Sequence, residues 1–520
     1  MRNGSIAVCL DLTKGAKRLL AAHAGRSRRT KTSRGWVNPL FPLTLAALCL
    51  TAPAPASAQI ASFQHVILVV QENRTPDNLF QGLCPTTNPS ACSTQPGPQQ
   101  YNIQTTGWLD KTSPTGTTNP KAVQFGLDYD LSHEHSAFVS MCDLNSSGAC
   151  AMDGAAYVGC LPITKCPTRA AFGYVDNSTG AVQPYLHLVK AYGWGNYMFQ
   201  TNQGPSFPAH QFLFGATSAP SADDDYNGIF AAENTASGSA GCAAEITSRV
   251  WLINPQGVEF AQMFPCFERQ TLADLLEARG VSWRYYGSSG TAGEFLDSTA
   301  NGIWMAPNSI KHICVAVGQK CTGTQWTSNV EFNPSAVLSD ITNCNLRGVS
   351  WVIPDSFNSD HMVNVRNTGG PSWVASIVNA VGTSKCKNLD GSSYWSSTAI
   401  IVTWDDWGGW YDHVPPTIEA FPQGGYQMGF RVPLIVVSAY TPRGSISNTR
   451  EDFGSVARFV ERNFGIMEGA LTFADARGSG DLRGFFSLSN PPRPFQPIKA
   501  PLSARHFLTA KPSGLPVDDD

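Results

Sequence analysis

Residues 65–74 read HVILVVQENR, and residues 398–416 read TAIIVTWDDWGGWYDHVPP. Each stretch begins as a run of apolar, largely β-branched residues and ends in clustered oxygen ligands. Unbroken apolar runs of this kind suit strands buried on both faces of a parallel sheet. Three more runs share the pattern: 281–286 (VSWRYY), 349–353 (VSWVI) and 434–437 (LIVV). Helices with recognisable ends lie between them. Thr271 can cap one, with Asp274 three residues on and Gly280 closing it. Pro371 can open a second, whose apolar side is Val374, Ile377, Val378 and Val381. Asp452 can cap a third, with Val456, Phe459 and Val460 inward and Gly465 after it. Strands alternating with helices predict an α/β fold, a three-layer α/β/α sandwich around a mostly parallel central sheet.

The composition agrees with one large folded body. Of 520 residues 42% are hydrophobic and 14% charged, with Gly 47 and Pro 35 supplying abundant turns. Collagen-like, wholly disordered and coiled-coil chains are excluded. Lys+Arg 36 against Asp+Glu 39 leaves no basic excess to neutralise phosphates, which argues against a nucleic-acid partner.

The first 58 residues carry nine Lys and Arg against the single acidic Asp11. An apolar run follows at 40–50 (LFPLTLAALCL), then small residues ending Ala56-Ser57-Ala58. That order reads as a secretory signal peptide. The run is too short to cross a bilayer, which takes roughly 20 apolar residues. The pair Arg28-Arg29 leaves the general and the twin-arginine export routes both open. Beyond the signal, 27 basic and 38 acidic residues remain, so the expected product is acidic and either secreted or periplasmic. With no transmembrane stretch expected, any membrane contact would be peripheral. Twelve cysteines lie beyond residue 58, an even number that favours disulfides in an exported chain. Cys84/Cys92, Cys142/Cys150, Cys160/Cys166 and Cys314/Cys321 could close small local loops. A zinc reading lacks any C-x-x-C pair. The expected organisation is a domain over 59–490, with irregular insertions near 88–119 and 218–247. The Pro-rich tail 491–520, ending Asp518-Asp519-Asp520, is expected to be unstructured.

Ligands of open α/β sheets gather at the carboxyl ends of the strands. Glu72 and Asn73 follow one strand, and Asp405 and Asp406 follow another. If they converge, three carboxylates and an amide oxygen would hold a hard divalent cation. The competing reading is that such residues cap helices or face solvent. Ser206, in GPSFPAH (204–210), stands before a helical stretch and could be presented there as a nucleophile toward a phosphoryl group. Its plain alternative is a turn serine capping that helix. Neither G-x-S-x-G nor a P-loop occurs. His133 and His135 in DLSHEHS (130–136), His361 after Asp360, and His413 complete the titratable set. Trp404, Trp407 and Trp410 could form a cage for a choline head group, with core packing the favoured alternative.

Together these segments resemble the bacterial phosphoesterase family that contains phospholipases C and metal-dependent acid phosphatases, a branch of the alkaline-phosphatase-like superfamily. The carrying stretches are 65–82, 204–210, 281–287, 349–361, 398–416 and 431–465, and the resemblance runs from about residue 62 to 488. It implies Glu72, Asn73, Asp405 and Asp406 as ligands of a divalent metal ion and Ser206 as a nucleophile forming a phosphoserine. It also implies His133 and His361 at the phosphate, with His135, His210, His312, Asp360, Asp412 and His413 in surrounding or structural positions. His210 stands where a sulfatase pattern has arginine, which argues against sulfatase chemistry. Ala209 stands where phospholipases C often have asparagine, and Asp405-Asp406 where they often have Asp-Glu. Both departures favour an acid phosphatase acting on phosphate esters. A phospholipase C acting on phospholipid head groups is the first alternative. A non-catalytic exported binding protein on the same scaffold is the second.

Overall fold

The computed structural model describes residues 62–513 apart from 237, 289–301, 364–368, 422–423 and 479. The segment read as a signal peptide, 1–58, lies outside the described residues. Eight strands form one sheet: β1 (His65–Gln71), β2 (Gly193–Phe199), β3 (Trp283–Tyr286), β4 (Val330–Glu331), β5 (Val349–Val352), β6 (Thr398–Trp404), β7 (Leu434–Ser438) and β8 (Ser445–Asp452). Their order is β4-β3-β5-β1-β6-β7-β2-β8. β7 runs antiparallel to both neighbours, and every other pairing is parallel. The expected mostly parallel sheet is present. β1 and β6 lie at its centre, and all seven residues of each are buried. Each fully buried Val, Leu or Ile there contributes about 1.5–3 kcal/mol.

Side-chain parity shows that both faces are covered. Leu68 of β1 is in register with Trp351 of β5, whose indole N–H donates to the Leu213 carbonyl at 2.9 Å. Gln71 has the opposite parity, and its amide donates to the Tyr185 hydroxyl at 2.7 Å. In chain order the longer helices are α1 (His135–Cys142), α2 (Gln183–Ala191), α3 (Ser206–Gly215), α4 (Leu272–Ala278), α5 (Ala336–Thr342), α6 (Gly369–Thr383), α7 (Phe453–Asn463) and α8 (Ala504–Thr509). The face with Leu68 carries α3, packed with α4 and α7. The face with Gln71 carries α2, packed with α6, and α6 in turn meets α5 and α8. These are the three layers. Thr271 and Asp274 form the capping box expected for α4, and Asp452 and Ser455 form one on α7. α6 begins two residues before Pro371.

Six disulfides join Cys84–Cys92, Cys142–Cys150, Cys160–Cys166, Cys242–Cys266, Cys314–Cys321 and Cys344–Cys386. All four local loops are among them. The tail expectation needs correction over 491–513. Ile498 exchanges hydrogen bonds of 2.8 Å with Asn379 of α6. Phe507 of α8 is buried edge-on against Trp373, with ring centroids 5.3 Å apart. Proline content argued against regular structure there, but two apolar anchors suffice to pin an irregular chain. Residues 514–520 lie outside the described set.

Candidate active site and its metal ligands

β1 and β6 pair in register as far as Gln71 and Trp404, so the residues after them leave the sheet side by side. The Asp405 N–H donates to the Gln71 carbonyl at 2.9 Å, and the Asn73 N–H donates to Asp405 Oδ1 at 3.2 Å. Glu72 shares the parity of Leu68 and so emerges on the face of α3. Ser206 is the first residue of that helix, and its Oγ donates to Glu72 Oε2 at 3.2 Å. One turn on, His210 Nε2 lies 3.2 Å from Glu72 Oε1 and 3.8 Å from Asp405 Oδ2. Ligand atoms of Glu72, His210 and Asp405 all fall within 4.8 Å of one another.

The histidines close the other side. His133 Nδ1–H donates to the Leu131 carbonyl at 2.8 Å, which leaves Nε2 as an acceptor. The Asn73 amide nitrogen donates to that Nε2 at 3.1 Å, so Asn73 Oδ1 faces the opposite way. His361 lies 6.0 Å from His133 between ring centroids, and its Nε2 is 3.2 Å from Asp130 Oδ2.

Two acceptors decide whether a cation fits. Asn73 and Asp405 are both 0% exposed, yet among the described residues Asn73 Oδ1 and Asp405 Oδ2 accept no hydrogen bond. Buried oxygens so placed call for a ligand. The donor set of two carboxylates, an amide oxygen and an imidazole fits a divalent cation.

Of the sequence candidates, Glu72, Asn73, Asp405, Ser206, His133 and His361 come together. Asp406 lies outside the three-residue group, with Oδ1 accepting the Gly408 N–H at 2.7 Å. His210 joins that group although the resemblance left it among peripheral positions. Its spacing of four from Ser206, one turn on the same helical face, is the signal that could have found it. The amino end of α3 offers less than expected: the Phe207 N–H donates to Asn234 Oδ1 at 2.8 Å, and Pro208 has none to give.

Other candidates are engaged by protein partners away from Ser206. Asp412 accepts a bidentate pair from Arg431 at 3.0 and 2.9 Å, and His413 donates to Asp77 at 2.7 Å. Burial would push the Asp77 carboxyl up, but His413 and Arg431 beside it hold it below the usual range. Asp360 accepts from Tyr185 at 2.7 Å and Trp404 at 3.1 Å, and burial raises its carboxyl to about 7. His312 bridges Glu268 and Asp274, partly exposed. Trp404, Trp407 and Trp410 are all 0% exposed and form no cage.

An α/β sandwich carrying a serine, carboxylates and histidines at its strand ends describes a class of ligand-binding and group-transfer folds. Within that class, the chain belongs to the Phosphoesterase family, which it matches over residues 63–467. It is similar to phospholipase C B of Mycobacterium tuberculosis, 28% identical over 246 residues, which cover 44% of this chain and 44% of that protein. It is also similar to phospholipase C A of Mycobacterium tuberculosis, 25% identical over 481 residues, covering 85% of this chain and 81% of that protein. A solved protein of the alkaline phosphatase superfamily from Vibrio parahaemolyticus aligns over 55% of this chain and 62% of its own, at 11% identity and a TM-score of 0.30.

Proposed function

We propose that the chain is an exported, metal-dependent hydrolase of phosphoric esters that works through a phosphoserine at Ser206, with phospholipid head-group diesters as its substrate class. One observation carries the chemistry: the Ser206 hydroxyl lies 3.2 Å from Glu72, beside acceptor oxygens of Asn73 and Asp405 that no protein donor satisfies among the described residues. The substrate class rests on relatives that bear the name phospholipase C. The two departures that favoured an acid phosphatase lose their force. Ala209 is buried in the apolar core, and Asp406, beside the group of Glu72, His210 and Asp405, is assigned here to the cation and not to the substrate. Export is supported by the leading segment and by six disulfides, which persist in oxidising compartments.

Glu72, Asn73 and Asp405, with His210 closing the group and Asp406 beside it, would hold the cation. When bound, it supplies polarisation of a phosphoryl oxygen and eases ionisation of a nearby hydroxyl. Ser206 Oγ gives its proton to Glu72 Oε2 and attacks phosphorus in line. The Oγ–P bond forms as the P–O bond to the leaving group breaks. His361, whose Nε2 lies 3.2 Å from Asp130 Oδ2, donates a proton to the departing oxygen from Nδ1. His133 has its own proton tied to the Leu131 carbonyl, so its part is to aim Asn73 Oδ1. Water then attacks phosphorus and gives a proton to His361 Nδ1, while the Oγ–P bond breaks and Ser206 Oγ takes back the proton held by Glu72.

The test compares p-nitrophenylphosphorylcholine with p-nitrophenyl phosphate, each with and without EDTA. Cleavage of the choline diester, lost with EDTA and reduced by several orders of magnitude in Ser206→Ala, is the expected result. Cleavage of the monoester alone would return the acid-phosphatase reading. Near-normal kcat in a folded Ser206→Ala chain would remove Ser206 from the mechanism.

A further inference from the structure

Two residues past His133, at the start of α1, a second group of ligands meets. The His135 ring is 4% exposed. Its Nε2 lies 3.2 Å from Gln203 Oε1 and its Nδ1 3.5 Å from Glu259 Oε1, while its backbone N–H donates to Glu233 Oε1 at 2.8 Å. Ligand atoms of His135, Glu233 and Glu259 all lie within 4.8 Å of one another. Glu233 comes just after the first strand of a small antiparallel sheet (Phe230–Ala231, Val250–Ile253, Glu259–Met263), and Glu259 begins its last. Both carboxylates open onto a cavity of about 560 Å³ that Glu134, Arg249 and Trp251 also line.

The two nitrogens of the His135 ring face Gln203 and Glu259, and with a proton on Nδ1 the ring donates to Glu259. Glu233 and Glu259 are themselves hydrogen-bonded to each other. Two carboxylates and an imidazole nitrogen this close, at the edge of an open cavity, either share protons or hold a cation at their centre.

We propose that His135, Glu233 and Glu259 form a second divalent-cation site, separate from the group of Glu72, His210 and Asp405. One imidazole and two carboxylates suit a first-row ion of the zinc or manganese class, with water from the cavity completing its shell. Calcium and magnesium prefer all-oxygen sites. The site has a route to the nucleophile. Asn234, adjacent to Glu233, holds the Phe207 N–H immediately after Ser206. A cation fixing Glu233 therefore fixes the turn that positions the amino end of α3.

The test does not depend on Ser206 chemistry or on turnover. The full chain, stripped with chelator, is titrated with Zn²⁺ and separately with Mn²⁺, and bound metal per chain is measured by mass spectrometry. Asp405→Asn disables the first group, and one equivalent is expected to remain. Adding Glu259→Gln should then weaken that equivalent at least tenfold, while Glu134→Gln on the same cavity wall should leave it unchanged. Glu259 is partly exposed and the exchange is isosteric, so folding, checked by circular dichroism, is expected to survive. His135→Gln is the second variant and should act like Glu259→Gln. No metal bound by Asp405→Asn, or an affinity unmoved by Glu259→Gln and His135→Gln, would overturn the assignment.

Discussion

Adding one methyl group at Gly408 separates positioning from stability at the catalytic end of the sheet. Gly408 has φ +60, and a Cβ there would stand 2.4 Å from the Asn73 carbonyl oxygen and 2.6 Å from Asn73 Cβ. Ordinary contact begins near 3.4 Å, so Asn73 would have to retreat by about an ångström. That movement stretches the 3.2 Å bond from the Asn73 N–H to Asp405 and the 3.1 Å bond from its amide to His133. A displacement of about 1 Å at a reacting centre costs about 10²-fold in rate. The left-handed backbone adds about 1–2 kcal/mol for a non-glycine residue. Gly391 supplies the matched control: its φ is +83, but nothing lies within 4 Å of the added Cβ. Gly391→Ala should bring the strain alone. The assay is kcat on p-nitrophenylphosphorylcholine beside urea unfolding for both variants. Gly408→Ala is expected to lose about two orders of magnitude in turnover, and Gly391→Ala to lose stability with turnover kept. Turnover within twofold of the parent in a folded Gly408→Ala chain would refute the claim that this contact aims Asn73.

Two further expectations concern stability. Hydrogen bonding to Asp274, against the opposing effect of burial and with Glu268 adding, raises the His312 imidazole from 6.5 to about 9. A raised folded-state value means that its stabilisation is complete below pH 6.5 and is lost as pH climbs through 9. The gap in Tm between the parent and His312→Gln should therefore shrink between pH 6.5 and 9, and a gap that widened would refute the pairing. The disulfides should rank by loop length. Cys344–Cys386 closes 42 residues and Cys160–Cys166 closes 6. Chain entropy assigns these about 4 and about 2 kcal/mol, so paired Cys→Ser variants measured by denaturant unfolding should fall in that order.

What was readable in the sequence follows burial. β1, β6 and β7 lie inside the sheet with both faces covered, so they appear as unbroken apolar runs. β8 (SISNTRED) is an edge strand whose middle is exposed, and its polar composition hides it. β2 (GWGNYMF) is hidden differently. At Gly195 a Cβ would meet Leu434 Cδ2 at 2.8 Å, so close packing against β7 demands a residue that propensity counts against a strand. Helix caps were legible because they are local, as at Thr271 and Asp452. The group of His135, Glu233 and Glu259 was not legible, because nearly a hundred residues separate its first two members and only the small sheet brings them together.

The E-N-R signature shows why a motif marks a site without sorting its members. Its three residues are all buried, yet they do different work. Glu72 meets the Ser206 hydroxyl and His210. Asn73 sits at φ +64, a conformation that costs a non-glycine residue about 1–3 kcal/mol and persists only where its surroundings fix it. Three restraints do so here: Asp405 on its N–H, His133 on its amide and Gly408 against its carbonyl. Arg74 is scaffold. Its guanidinium donates to the backbone carbonyls of Asp360 and Phe125 and lies over the rings of Phe125 and Trp410, and burial pulls it down to about 10. By bracing those carbonyls it ties the segment leading to His361 to the turn after β1. A buried charge that holds backbone and a buried charge awaiting a ligand look alike in one dimension. They differ in whether protein atoms satisfy them: Arg74 donates into carbonyls on every side, whereas Asp405 Oδ2 and Asn73 Oδ1 do not find a donor among the described residues. The strain at Asn73 is spent on aiming that oxygen, which is why Gly408, a residue with no chemistry of its own, belongs to the motif.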